Sequence, residues 1–232
     1  NPLKHLGNLL NKINPEQDLS IFQGPLDVLD HAGNKPSFGG KLGIDLTSKF
    51  IDEPGYTSSL SDNEIPALED VQNKLRSFND IIDFNYLINL GLPILLLSVH
   101  KNQKKQISSL FHELCKQPVL SGIKIICFME DIVDIKDLKY VIWRAANNID
   151  FKRDLLIFQP ESPLQSIIGI DATRKTSELD NFQRPWPNIT VMDQNTINSI
   201  DAKWEQLNIG PFIESPSNKF RKQCYPGEAI AE

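Results

Sequence analysis

The strongest constraint on how this 232-residue chain folds is that it states one stretch twice. Gly43-Ile44-Asp45-Leu46-Thr47-Ser48-Lys49 returns as Gly169-Ile170-Asp171-Ala172-Thr173-Arg174-Lys175, each time an apolar approach followed by Asp-x-Thr-x-Lys. Upstream, Asp18-Leu19-Ser20-Ile21-Phe22-Gln23 returns as Asp154-Leu155-Leu156-Ile157-Phe158-Gln159, 136 residues later, whereas the heptads lie 126 residues apart. The second copy therefore has a connection ten residues shorter between its last two strands. Such self-similarity reads as a duplicated structural unit, with one copy incomplete.

Periodicity supplies the elements around the repeat. Leu3, Leu6, Leu10 and Ile13 recur at helical spacing and predict a helix over 3–13, ended with the help of Pro15. Strands follow at 18–23 and 41–45, joined by a polar loop long enough to wall a site. Residues 50–65, with Pro54, Gly55 and a Ser/Asp cluster, read as a linker, and a helix over about 66–78 follows. From there the pattern is a strand at Ile94 to Val99, a helix through Ile107, Leu110, Phe111 and Leu114, and a strand at Lys124 to Met129. A helix capped by Asp134 with a stripe of Leu138, Val141, Ile142, Ala145 and Ile149 leads to the two repeated strands, 154–159 and 167–171. Asp193 caps a last helix bearing Ile197, Ile200, Trp204 and Leu207, before an extended tail.

This order predicts an α/β fold: a mainly parallel sheet with helices on both faces, in two related repeats, the first incomplete. The expected parts are 1–50, the second half of a unit; 51–90, linker and connecting helix; 91–207, the fuller repeat; and 208–232, a tail. The opening strand, helix and strand of the first unit would lie before Asn1, where the sequence starts abruptly inside a helix.

Charge and cysteine content exclude several classes. A net charge of −6 gives the chain no reason to seek nucleic acid or an anionic membrane. The longest apolar run, Leu92 to Val99, is far short of the ~20 residues of a membrane span, and no signal-peptide pattern is present. Cys115, Cys127 and Cys224 have no paired spacing, so reduced thiols and a cytoplasmic location are expected.

Ligands of α/β folds sit at the carboxyl ends of parallel strands, where both Asp-x-Thr-x-Lys copies fall. Asp45, Thr47, Lys49 and their counterparts Asp171, Thr173 and Lys175 are therefore candidates for an anion site or for a turn. Gly39-Gly40-Lys41 is a second candidate, since paired glycines admit close backbone approach and Lys41 can meet a phosphate. His31 with Asp27 and Asp30 reads as a loop polar network or an acid-base or metal cluster. The chain has no Walker lysine motif and no GxGxxG between a strand and a helix. The acids Glu130, Asp131, Asp134 and Asp137 suit a strand end and a helix start.

Four motifs in order carry a family resemblance: Phe128 to Asp134, Asp137 to Trp143, Asn148 to Asp154 and Ile170 to Lys175. Together they resemble the C-terminal domain of UbiD-family decarboxylases, with its acidic strand end, Val-x-Trp helix, Arg-Asp turn and closing Asp-Ala-Thr-x-Lys. The likeness spans about 92–207, and 13–49 is similar to the second half of the same domain. The doubled form resembles longer UbiD-like proteins associated with menaquinone biosynthesis.

The resemblance implies reversible non-oxidative decarboxylation of an aromatic or α,β-unsaturated acid, such as a quinone precursor, with prenylated FMN, manganese and potassium. It further implies that the catalytic Glu-Arg-Glu set and the metal ligands come from the protein's own N-terminal domains. No catalytic or metal residue is then expected here, nor tight cofactor binding, and these residues alone should be inactive. Gly24, Pro25 and Leu26 occupy the family's substrate-pocket wall, and the second copy keeps Pro163-Leu164 without the following loop. A family lysine that holds the flavin phosphate precedes the strand equivalent to Lys124 to Met129; Lys116 is near that place but displaced. Three readings stand: part of an enzyme, a scaffold or homo-oligomerisation module, and a stand-alone ligand-binding domain.

Overall fold

In the computed structural model, residues 1–53, 56, 66–160 and 165–225 are described. Most of the expected linker, and Pro163-Leu164, lie outside them. The chain divides into two compact units, 1–184 and 185–232.

The first unit contains a two-stranded antiparallel hairpin and a five-stranded mixed sheet. Helices α1 (Pro2–Leu10) and α2 (Pro15–Asp18) lead into the hairpin strands β1 (Leu19–Pro25) and β2 (Phe38–Ile44). After α3 (Leu68–Leu75) come β3 (Ile81–Tyr86), β4 (Ile94–Val99), α4 (Gln106–Cys115) and β5 (Ile125–Glu130). Then follow α5 (Leu138–Asn148), α6 (Phe151–Asp154), β6 (Leu155–Phe158), β7 (Ile167–Asp171) and α7 (Ser177–Asp180).

The sheet order is β3-β4-β5-β7-β6. Its centre, β4-β5-β7, is parallel, and both edge strands are antiparallel to their neighbours. The architecture is thus α/β as expected, with a parallel centre in a mixed sheet.

Burial on both faces explains the apolar runs of β4 and β5. Leu95, Leu97, Val99, Ile126 and Phe128 pack with Val71 and Leu75 of α3 and with Ile107, Leu110, Phe111 and Leu114 of α4. The alternate residues Leu96, Ser98, Cys127 and Met129 are buried as well. A strand hidden on both faces has no polar alternation to show. Each fully buried Leu or Phe contributes roughly 1.5–3 kcal/mol of transfer free energy.

Two expectations are corrected and one element is added. Within 51–90, beyond the helix expected over 66–78, lies β3, an antiparallel edge strand whose Asp83 and Asn85 interrupt its apolar pattern. Helix α5 is capped by Asp137, which accepts from Tyr140 N–H at 3.2 Å, whereas Asp134 accepts from Lys136 N–H one turn earlier. Its buried stripe is Tyr140, Val141, Arg144 and Asn148, while Ile142 is 68% exposed. Two polar residues are buried because partners await them. Arg144 pairs with Glu130 at 2.5 Å, and Asn148 Nδ2 donates to Ala172 O at 3.0 Å.

In the second unit α8 (Gln194–Leu207) starts at Asp193, which accepts from Thr196 N–H as the sequence predicts. The described part of the tail, 208–225, contains a short helix, α9 (Ser217–Phe220), and a further turn over Arg221–Gln223.

Gly169 sets how closely α4 approaches β7. A Cβ there would lie 2.7 Å from the Phe111 ring and 3.0 Å from Leu156 Cβ. Gly169→Ala should therefore destabilise the unit by about 1–3 kcal/mol, read as a lower urea midpoint; an unchanged midpoint would show that α4 does not pack this tightly.

Candidate functional site

The two Asp-x-Thr-x-Lys segments end β2 and β7 and make the same local bonds. Thr47 N–H donates to Asp45 Oδ1 at 2.9 Å, and Thr173 N–H to Asp171 Oδ1 at 3.0 Å. Both threonine hydroxyls donate to the same oxygens. The strand-opening turns match too. Asn14 N–H donates to Asp18 Oδ2 at 2.8 Å, and Asp150 N–H to Asp154 Oδ2 at 2.9 Å. Each lysine then closes the clasp between strand end and turn: Lys49 on Asp18 and Asp45, Lys175 on Asp154 and Asp171.

Environment separates the copies. Lys175 is 1% exposed, and its ammonium also donates to the carbonyls of Asp171 and Thr173. Burial works to raise the Asp171 pKa, but Lys175 and Lys101 outweigh it and hold that carboxyl below its ordinary range. For Asp154 burial prevails and the pKa is raised despite Lys175 and Arg153. In the first copy Asp45 is half exposed, and bonds from Lys49 and Thr47 keep it ionised well below the usual carboxylate pKa.

Lys101 was not singled out in the sequence. From the loop after β4 it reaches Thr173 Oγ1 and Asp180 Oδ1 at 2.8 Å and Arg174 O at 3.0 Å. The only signal was its place just after a central parallel strand, where ligand-binding loops arise.

A cavity of about 340 Å³ opens beside this cluster, between the start of α4 and the ends of β4 and β7. Lys101, Arg153 and Lys175 line its inner side with Asp154, Asp171 and Asp180, so the deep charges compensate one another. Lys104 and Lys105 stand exposed at the rim, where α4 begins without a side-chain cap. An entering anion thus meets rim lysines and a balanced floor.

The remaining candidates gather around the hairpin. Gly24 is buried at the end of β1, with Gly39 across from it and the Lys41 side chain nearby, and Pro25 is exposed. Leu26 N–H donates to Ser37 O at 2.9 Å. A Cβ on Gly39 would lie 2.6 Å from Leu26 Cδ1, and one on Gly40 would collide with Asp150 and Lys152. The glycine pair therefore admits the α6 turn, and Gly40 N–H donates to Asp150 Oδ1 at 3.1 Å. Beside it a second cavity of about 260 Å³ is lined by Gln23, Phe38, Asp150 and Arg153, among others.

Arginines tie down the connecting loop. Arg153 donates to Ala32 O at 2.8 Å, and Arg184 to Gly33 O at 2.9 Å. Asp27 and Asp30 cap turns through the N–H groups of Leu29 and Ala32. Burial lowers the His31 pKa, and a bond with Asn148 opposes this. The loop cluster thus serves as a polar network.

The profile of the 3-octaprenyl-4-hydroxybenzoate carboxy-lyase C-terminal domain, UbiD_C, matches residues 1–46 and 63–168. The chain belongs to the UbiD family. Family relatives are carboxy-lyases by that description. An uncharacterized protein of Helicobacter pylori strain J99 is 34% identical over 193 residues, which cover 81% of this chain and 28% of the relative. The chain thus spans little more than a quarter of that relative's length. Among solved structures, the vanillic acid decarboxylase of Sedimentibacter hydroxybenzoicus in its open form is similar at 15% identity and a TM-score of 0.44. It covers 60% of this chain and 32% of that one. An evolved dimeric form of HmfF from Pelotomaculum thermopropionicum, solved in complex with prFMN, is similar at 18% identity and a TM-score of 0.39. It covers 54% of this chain and 28% of that one.

The residues present do not fit the group that the UbiD resemblance implies. Among the described residues no group of three or more His, Cys, Asp or Glu could hold a metal ion, and the inner cations of the larger cavity are engaged by carboxylates. Lys116 is exposed. Lys124, at the entry to β5, is 3% exposed, and burial lowers its pKa to about 8.

Two outcomes follow. Lys175→Met removes the cation shared by Asp154 and Asp171, leaving them only Arg153 and Lys101, and should cost roughly 3 kcal/mol, whereas Lys49→Met, at the more open clasp, should shift the urea midpoint far less; equal losses would sink the distinction between the copies. Burial lowers the Lys124 pKa to about 8 against 10.5 for the unfolded chain, so the parent should gain stability as pH rises between those values and Lys124→Met should lose that rise. Parallel pH profiles of parent and variant would refute the assignment.

Proposed function

We propose that residues 1–232 form the C-terminal part of a UbiD-like carboxy-lyase. The full-length protein carries out non-oxidative decarboxylation of an aromatic or α,β-unsaturated acid, in the cytoplasm and in quinone biosynthesis of the menaquinone or ubiquinone type. Prenylated FMN, manganese and potassium are held by the other domains of a homo-oligomer, and these residues alone do not turn substrate over. The observation that carries the reading is the family match, which extends over the β1-β2 hairpin as well as the sheet.

Within that reading the two halves have different tasks. Gly24, Pro25 and Leu26 at the end of β1 wall the substrate pocket, supported by the arginine-tethered loop that follows. The second half serves as scaffold and oligomerisation surface. Its clasp lysine, enclosed by two carboxylates and two carbonyls, is already committed.

Leu26→Trp adds bulk where the side chain already meets Gly39 closely. In the full-length holoenzyme it should lower kcat/KM by about tenfold or more, beyond any loss of thermal midpoint that the added bulk causes. Unchanged turnover by a folded variant would remove the hairpin from the active site and leave the scaffold reading for both halves.

A further inference from the structure

The loop between β1 and β2, residues 26–37, closes around one histidine to which the decarboxylase reading gives no task. Its middle is held from outside by two arginines. Arg184 Nη1 donates to Asp30 O at 3.3 Å and to Gly33 O at 2.9 Å. Arg153 Nη1 donates to Ala32 O at 2.8 Å and to Asn34 Oδ1 at 3.2 Å. Within the loop, Asp30 Oδ1 accepts from the N–H groups of Ala32 at 2.9 Å and Gly33 at 3.4 Å. His31 thus stands between two residues, Asp30 and Ala32, whose carbonyls are each taken by a different arginine.

The imidazole turns toward the second half of the chain. It bonds with Asn148 and lies near Arg144, both on α5, and near Arg184, with Asp30 as the carboxylate that faces it. Its Nε2 is shut off from solvent. These neighbours are fixed by bonds of their own: Asn148 Nδ2 donates to Ala172 O at 3.0 Å, Arg144 pairs with Glu130 at the end of β5, and Arg153 pairs with Asp154.

Such a cluster favours the neutral imidazole. The carboxylates near it are engaged, Glu130 by Arg144 and Asp30 by two loop N–H groups. A protonated His31 would be a third cation beside Arg144 and Arg184. Burial opposes the charged ring more than Asn148 and Asp30 support it, so the pKa in the closed loop lies below 6.5. In an open loop the ring meets water and returns to its ordinary value, so acid favours the open form as pH falls through 6.5.

We infer that residues 26–37 form an acid-released latch: neutral His31 seats the loop on Arg153 and Arg184, and uptake of a proton by His31 lets the loop swing away. The latch governs the segment that begins at Leu26. It stands on loop geometry and does not depend on the decarboxylase reading.

Hydrogen exchange of the full-length protein, read by mass spectrometry on peptides from 26–37, tests it. Protection relative to the chemical exchange rate at each pH should fall roughly three- to thirtyfold from pH 8 to pH 5, the ceiling being what one histidine of ordinary pKa supplies. Peptides from β4 and β5 should keep their protection. His31→Gln should remove the pH dependence of the loop. Asp30→Asn keeps the oxygen that caps the turn but removes the anion facing His31, so its fall by pH 5 should be at least as large as the parent's. Equal protection of the parent loop at pH 8 and pH 5 would overturn the proposal, as would a fall shared by β4 and β5. A fall that survives His31→Gln, or one abolished by Asp30→Asn, would assign the titration to another group and refute it too. If the His31→Gln loop is open at every pH, the Asp30→Asn profile decides.

Discussion

The interaction on which the second half of the chain depends is the buried clasp of Lys175 with Asp154 and Asp171. It joins the turn that opens β6 to the end of β7 and lies beneath the loop that carries Lys101. Charges removed from water are tolerated only when paired and bonded, and here the lysine also donates to two backbone carbonyls. The clasp therefore specifies the hairpin geometry even though it contributes little net transfer energy. The hydrophobic term comes from β4, β5 and α4.

The same clasp occurs once more in an open setting. Asp18, Asp45 and Lys49 reproduce the bonds, yet Asp45 is half exposed and no counterpart of Lys101 stands over it among the described residues. Hairpin geometry is thus a local property, set by the Asp-x-Thr turn and the side-chain cap before the strand. Burial is a property of what lies beside the hairpin. The proposed roles follow that division: the closed copy as scaffold, and the more open one presenting its loop.

Much of the fold was legible where one physical signal dominated. Strands β4 and β5 were readable because burial on both faces leaves an unbroken apolar run, and α4 because its four core residues keep helical spacing. Strand β3 escaped because an edge strand tolerates Asp83 and Asn85, which erase the alternation. On α5 the apolar stripe pointed to Ile142, but Arg144 and Asn148 lie inward because Glu130 and Ala172 O supply partners from distant elements. Hydropathy cannot reveal a polar residue whose burial depends on a partner brought by the fold.

By itself the sequence determined the repeated turn chemistry, the α/β order of elements and the family resemblance, since each is written in contiguous residues. The tertiary structure alone decided which clasp is buried, that Lys101 joins it, and that β7 is paired on both sides while β2, among the described residues, is paired on one. The physical reason is range. Turns and caps are satisfied within a few residues, whereas desolvation and strand pairing depend on neighbours that the chain brings together only when it folds.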